Sequence, residues 1–227
     1  RDHYVDASSD LEILQVQLEE RDAEAQILVL ESERMASKLR ETFKATLAAL
    51  VSMIQIKNQT LVKNGQWVAT FSIKLGRALN MTDRDLHPLQ LAGYLKNLGL
   101  LLLPDLYTEK SVGMFNNDEL RRYYRFPILG EQVLKKIPGF GKVGTIISYQ
   151  LERFNGRGPR AFAGDDIPLP SQILNLAHDA YQILFLRSKE AGSESIYGRT
   201  YVINHIRKNM GKLYGPPVAH AAITLLG

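Results

Sequence analysis

From Leu11 to Lys63 the chain holds neither proline nor glycine. A stretch of that length, with nothing to break the helical hydrogen-bond ladder or release a turn, commits the start of the chain to helix. Within it Leu11, Leu14, Leu18, Ala25, Leu28, Met35 and Leu39 recur at spacings of three, four or seven, the rhythm of an apolar seam that lies against another helix. Glu12, Glu19, Glu20, Glu24, Glu31 and Glu33 occupy the flanks, and Ser8, Ser9 and Asp10 offer capping oxygens at the start. About 50 helical residues span ~75 Å at 1.5 Å per residue, more than one small domain can cover. A partner helix is therefore expected, and a parallel homodimer through Leu11, Leu14, Leu18, Leu28, Met35 and Leu39 is the simplest partner. Arg21 and Ser32 fall on the seam, and the register shifts near Phe43, Leu47, Leu50 and Ile54. Such a pairing should be short or imperfect, and a first helix folded back on the core is the alternative.

Charge divides the chain at the same place. Residues 1–36 carry ten acids and three bases, the remainder 14 acids and 25 bases. We divide the chain into a linker and dimerisation helix over 1–43 and a domain over 44–227. The bases of the domain are scattered rather than clustered, the pattern of a solvated surface, so nucleic acid is not an expected partner. No apolar run approaches the roughly 20 residues of a spanning helix, so membrane insertion is not expected, and nothing near Arg1 resembles a signal peptide. The chain reads as a piece of a longer cytoplasmic protein. The absence of cysteine removes disulfides, thiolate metal sites and a cysteine nucleophile.

Beyond the arm the pattern is helix after helix, an all-α bundle. Trp67, Val68, Phe71, Leu75 and Leu79 share one helical face, and Thr82-Asp83 opens the next helix through Leu86, Leu89, Leu91 and Leu95. Asn116-Asn117 caps the stretch DELRRYYRFPILGEQVLKKI, in which Pro127 marks a break or a new first turn. GFGKVG follows no strand and lacks the ending of a phosphate loop, so it reads as a helix junction. Two more helices fit IPLPSQILNLAHDAYQILFLRSK and SESIYGRTYVINHIRKNM.

The order of signposts over about residues 44–227 resembles the HD-GYP family of bacterial cyclic di-GMP phosphodiesterases. YLKNLGLLLLPD, Tyr94 to Asp105, is similar to the family's HDIGKIGIPD stretch in Gly99, Pro104 and Asp105, with Lys96-Asn97 where the HD would stand. KNGQWVA resembles the GHSxRVA segment, and FPILGEQVL resembles HPxxGxxIL. QLERFNGRGPR resembles HHExxDGxGYP, SQILNLAH resembles ARILAVAD, and Tyr214-Gly215-Pro216 resembles the closing FDP. The resemblance implies an HD-domain-like helical bundle after a coiled-coil-like helix. It also implies that the family's metal-binding histidines and aspartates correspond to Asn64, Lys96, Asn97, Phe126, Gln150, Leu151 and His178.

Of these only His178 is a good metal ligand. Asn and Gln offer neutral carbonyl oxygens, Phe and Leu offer nothing, and a lysine ammonium puts positive charge where a cation would sit. Neither metal nor cofactor is therefore expected, and no catalytic residue. His178-Asp179 suggests a relocated HD pair, yet adjacent helical residues point about 100° apart, and a structural histidine is the plainer reading. His87 and His220 read as surface or capping residues, and Glu152 as the partner of a neighbouring arginine. The expectation is a catalytically inactive signalling output module acting through protein contact, downstream of a receiver or sensor as in response regulators. Its partners would be a second copy and other signalling proteins of the cyclic di-GMP network. Two alternatives stand beside it. One is a non-hydrolysing cyclic di-GMP or nucleotide sensor using Lys96, Arg153, Arg157 and Arg160. The other is an atypical metal-dependent phosphodiesterase with a rebuilt site.

Overall fold

The computed structural model describes the backbone of residues 2–110, 112–187 and 196–227, and the side chains of 11–110, 112–185 and 198–227. It is all-α. Among the described residues no strand forms, only isolated bridges between Asn155 and Ala163 and between Met210 and Tyr214. The chain divides into two compact units, Arg1–Ala48 and Ala49–Gly227, and no helix among the described residues is long and apolar enough to cross a membrane.

Helix α1 (Asp2–Lys57) is one uninterrupted element of 56 residues. It is already helical at Asp2, so Ser8, Ser9 and Asp10 do not cap its start, and their side chains lie outside the described residues. Its end is where sequence gave no breaker. Asn58 leaves helical geometry at φ −164° and ψ 114°, and its side chain accepts the Thr60 amide, making it the N-cap of α2 (Gln59–Ala78). Helix α2 closes with Asn80 in the left-handed region at φ 57°. The Met81 and Asn80 amides return to the Gly76 and Arg77 carbonyls at 2.9 and 3.0 Å, the paired bonds that satisfy a helix C-terminus.

Helix α3 (Asp83–Leu95) starts at Thr82 as expected, although the Thr82 hydroxyl donates to the Asp85 carboxylate rather than capping the backbone. A 3₁₀ turn (Leu98–Leu102) and the short α4 (Leu106–Glu109) lead to α5 (Asn117–Tyr123), which carries the Asn116/Glu119 capping box. Helix α6 (Phe126–Leu134) begins with Pro127 in its first turn, the new start that the proline marked. Helix α7 (Gly141–Ser148) opens within GFGKVG, a helix junction. Helix α8 (Leu169–Tyr181) runs into a π-helical turn, Gln182–Arg187. Helices α9 (Ile196–Asn209) and α10 (Pro216–Leu226) complete the body. The ends assigned from sequence at Ser188-Lys189 and at Ser193 lie outside the described residues.

The core of the body is the packing of α2 on α3 and α8, with α6 and α7 behind α3. Val68, Leu75, Leu89, Leu95, Ile147, Ile173 and Leu174 are fully buried there. Small residues set the helix spacing: a Cβ at Gly93 would lie 2.4 Å from the Ala69 Cα, and one at Gly99 only 1.8 Å from the Phe126 carbonyl oxygen. Gly99 therefore lets the 3₁₀ turn rest against the first turn of α6.

Candidate functional site

The polar doublet at the end of α3 is not a solvated helix end. Lys96 is 1% exposed and Asn97 is buried beside it. Lys96 keeps helical geometry, but Asn97, at φ −92° and ψ 0°, sits in the sparsely allowed bridge region where many active-site residues are found. The Lys96 Nζ donates to Asn97 Oδ1 at 3.1 Å, and Asn97 Nδ2 donates to the Leu61 carbonyl on α2 at 3.1 Å. Gln150, just beyond α7, donates through Nε2 to the Lys96 carbonyl at 3.0 Å. Three positions that sequence grouped thus form one buried polar chain. Asn64 lies one helical turn beyond Leu61 on α2, buried, and its Oδ1 has no hydrogen-bond partner among the described residues.

Helix α8 brings two titratable groups to this chain. The His178 Nδ1 is inaccessible and has no hydrogen-bond partner among the described residues, while Nε2 lies 3.4 Å from the Gln182 side-chain nitrogen. Burial, and then the charge of Lys96, hold the imidazole well below its ordinary pKa. Burial likewise lowers the Lys96 ammonium to about 7, against the opposing pull of Asp179. Asp179 itself is raised by burial, an effect offset by the Tyr214 hydroxyl, which donates to Oδ2 at 2.8 Å, and by the charges of His205, Lys96 and Arg153. Burial, and then the charge of Asp179 and the same hydrogen bond, raise the Tyr214 phenol.

A cavity of about 260 Å³ opens beside Asp179, lined also by Tyr124, Leu151, Arg153, Arg157 and Asn175. Neither the Arg153 nor the Arg157 guanidinium forms an ion pair or donates a hydrogen bond among the described residues. Arg160 is placed differently. Its Nη2 donates to the Ser148 carbonyl at 2.7 Å, its Nε reaches Glu152 Oε1 at 3.3 Å, and its guanidinium lies 4.2 Å from the Tyr149 ring centroid. Glu152 is buried and committed to that arginine, the pairing expected from sequence. Of the four candidate ligand-binding residues, then, Arg153 and Arg157 share the cavity, Arg160 braces the loop, and Lys96 is enclosed with Asn97.

Phe126 is buried against Tyr123, ring centroids 5.1 Å apart, and Leu151 lines the cavity wall. Among the described residues no three His, Asp or Glu side chains converge to hold an ion. His87 and His220 are exposed. Sequence reasoning missed His205 and the pairing of Tyr214 with Asp179. These residues lie far apart in the chain, and nothing in local spacing ties them together.

The profile of the HD domain family matches residues 48–216. Among solved structures, Bd1817, an HDG"Y"P protein from Bdellovibrio bacteriovorus, is 20% identical with a TM-score of 0.58 over 73% of this chain and 52% of its own. The cyclic GMP-AMP-specific phosphodiesterase V-cGAP3 of V. cholerae is 18% identical with a TM-score of 0.58, over 78% of this chain and 48% of its own. The chain thus spans about half the length of either structure. No curated protein sequence matches it. Likeness at these identities is likeness of fold, and the family rests on the profile, which takes in most of the body from the end of α1 to the start of α10. The chain belongs to the HD domain family.

Proposed function

We propose that this chain is an HD-GYP-type module that has lost metal-dependent hydrolysis and works as a cytoplasmic signalling output through protein contact, as a homodimer downstream of a receiver or sensor domain. The observation that carries the reading is the closure of polar groups around Lys96: its ammonium bonds Asn97, and Gln150 bonds its carbonyl. A metal pair needs several imidazole nitrogens and carboxylate oxygens at once. Here the central side chain is a lysine whose Nζ is committed to Asn97, Gln150 is bonded to the Lys96 carbonyl, and Phe126 and Leu151 have no donor atom. Of the seven positions that correspond to the family's ligands, only Asn64 Oδ1 and His178 Nδ1 are unpartnered buried atoms among the described residues, too few for such a centre. The residues do not fit the metal that the family resemblance implies.

The test is elemental analysis of protein purified without chelator, with a turnover assay on cyclic di-GMP and cyclic GMP-AMP under added iron, manganese and magnesium. The expected result is no stoichiometric metal and no hydrolysis. Bound metal, or hydrolysis abolished by His178→Ala, would restore the phosphodiesterase reading.

A second reading, ligand sensing without hydrolysis, is favoured by the cavity that brings two uncommitted guanidiniums to Asp179. Guanidinium forks suit phosphate oxygens, and one solved relative is named for its action on cyclic GMP-AMP. Calorimetry should then show saturable binding of a cyclic dinucleotide or its linear product that weakens with salt and is lost in the Arg153→Ala/Arg157→Ala double variant. No heat with either class of nucleotide removes this reading and leaves the contact reading in place.

A further inference from the structure

Lys96 is enclosed more completely than it is paired. An ammonium has three hydrogens to donate. Among the described residues Nζ makes one hydrogen bond, to the neutral Asn97 Oδ1 at 3.1 Å, and no ion pair. Two donors of a buried cation thus go unmet, a cost that the neutral amine avoids. A pKa brought down to about 7, by burial against the pull of Asp179, agrees with that geometry. The fold therefore holds, near neutral pH, an amine with a free electron pair.

An unmet donor stands within the field of this amine. The Gln182 side-chain nitrogen, 3.4 Å from His178 Nε2, makes that atom the acceptor and leaves the ring proton on Nδ1. Nδ1 is inaccessible and has no hydrogen-bond partner among the described residues. After burial, the charge of Lys96 is what lowers the imidazole, so the two groups share one poorly solvated space. The wall of the cavity adjoins both of its sides. Leu151 follows Gln150, whose Nε2 bonds the Lys96 carbonyl, and Asp179 follows His178. That cavity, about 260 Å³ in volume, is the approach from solvent for a small uncharged molecule.

We propose that Lys96 is a modification site for dissolved carbon dioxide, the enclosed amine forming a carbamate that turns the cation of the polar chain into an anion. The Nζ electron pair forms a bond to the carbon, one C=O π pair moves onto oxygen, and one proton leaves the nitrogen. Amine and carbon dioxide thus give N–COO⁻ and a proton, with no oxidation or reduction. Asp179 is the nearby base for that proton, since burial raises its carboxyl and Tyr214 occupies only Oδ2. Once protonated, it no longer opposes a neighbouring anion. The carbamate nitrogen keeps one hydrogen, which serves Asn97 Oδ1 as before, and the new oxygens supply the acceptor that His178 Nδ1 lacks. An ammonium cannot use that donor. A solvated lysine of ordinary pKa, near 10.4, is almost wholly protonated at neutral pH and reacts little, so enclosure is what selects this residue. Asn97 also bonds the Leu61 carbonyl on α2, so the altered charge sits on the link between α2 and the end of α3. Carbon dioxide becomes an input that needs neither metal nor nucleotide, and the proposal stands apart from both readings given above.

The test equilibrates the full chain with isotopically labelled bicarbonate and carbon dioxide above neutral pH, with chelator present so that no metal-bound bicarbonate contributes. The expected result is a carbamate carbon resonance that saturates with dissolved carbon dioxide and is lost in Lys96→Met. After trapping by O-alkylation, mass spectrometry should place the adduct on the peptide that contains Lys96. Trapping on the unaltered chain decides the matter even where Lys96→Met fails to fold. His178→Ala leaves Lys96 in place and should weaken the response to carbon dioxide at least about ten-fold, the share of one hydrogen bond to a charged group, with circular dichroism verifying the fold. No label, or label confined to the amino terminus and other lysines, would overturn the proposal. An unchanged response in folded His178→Ala would overturn the seat assigned to the carbamate.

Discussion

A buried ammonium is costly, and the fold limits the cost at Lys96 with one side-chain oxygen, a carboxylate in its field and a pKa brought down to about 7. The consequence for stability has a definite sign. Between about pH 7 and the ordinary lysine range near 10.4 the unfolded chain holds a proton on this residue that the folded chain has released, so stability rises with pH there. His178, depressed in the same sense, contributes stability that is complete above about 6.5 and is lost as pH falls below it. Asp179, raised by burial, works the other way: its contribution is complete below the ordinary carboxylate range and is lost as pH rises through its folded value. Urea unfolding should therefore show stability rising from pH 7 to pH 9 by at most about 1.4 kcal/mol per pH unit, and Lys96→Met should flatten that rise whatever it does to stability at pH 7. A flat profile in the unaltered protein would sink the assignment. The family resemblance implied that a lysine and an asparagine stand where metal ligands would. It could not show that they bond each other, because Lys96 follows the last residue of α3 and, judged alone, looks like the cationic last turn that favours any helix end.

At the level of elements, the starts that sequence marked at Thr82, Asn116 and Pro127 are the ones found, whereas Ser8, Ser9 and Asp10 lie inside a helix already begun. Asn116 caps α5, its Oδ1 accepting the Asp118 and Glu119 amides at 3.0 and 2.9 Å while the Glu119 carboxylate accepts the Asn116 amide. Asn116→Ala should lower the stability of the body by about 1 kcal/mol, read as a shifted denaturant midpoint at unchanged slope. No shift would mean that the cap carries nothing. A larger effect belongs to Gly99, whose replacement by alanine would set a methyl group against the Phe126 carbonyl. A loss on the order of 3 kcal/mol or more is expected from the overpacking, and a Gly99→Ala variant with an unchanged denaturation midpoint would contradict the close approach. The break between α1 and α2 was not legible as a break. Neither proline nor glycine marks it, and Asn58 is an ordinary helix residue until its side chain turns to cap Thr60. The same absence of breakers that identified α1 hid its end, and residues that looked like a drifting register belong to a second face of one helix.

Across the whole molecule, the long helix and the HD body ask different things of the chain. The body, Ala49–Gly227, encloses its own core, including Leu50 and Ile54 from the last turns of α1. The unit Arg1–Ala48 leaves Leu11, Leu14, Leu18, Leu28, Met35 and Leu39 all exposed, an amount of apolar surface that a lone helix keeps in water only at a cost. Helical propensity alone stabilises an isolated helix weakly, and most of the stability of such an element comes from packing. The arm should therefore exchange water for a second copy as concentration rises. Light scattering on the full chain at tens of micromolar should give the mass of a dimer. A chain beginning at Lys44 leaves Ala49–Gly227 intact and removes all six of those apolar side chains. Its mass should therefore shift toward the monomer and depend more steeply on dilution. Circular dichroism on both chains would verify that the body survives the cut. A monomer in both cases at high concentration would refute the dimer, and an equally stable dimer in both would move the interface out of the arm and into the body.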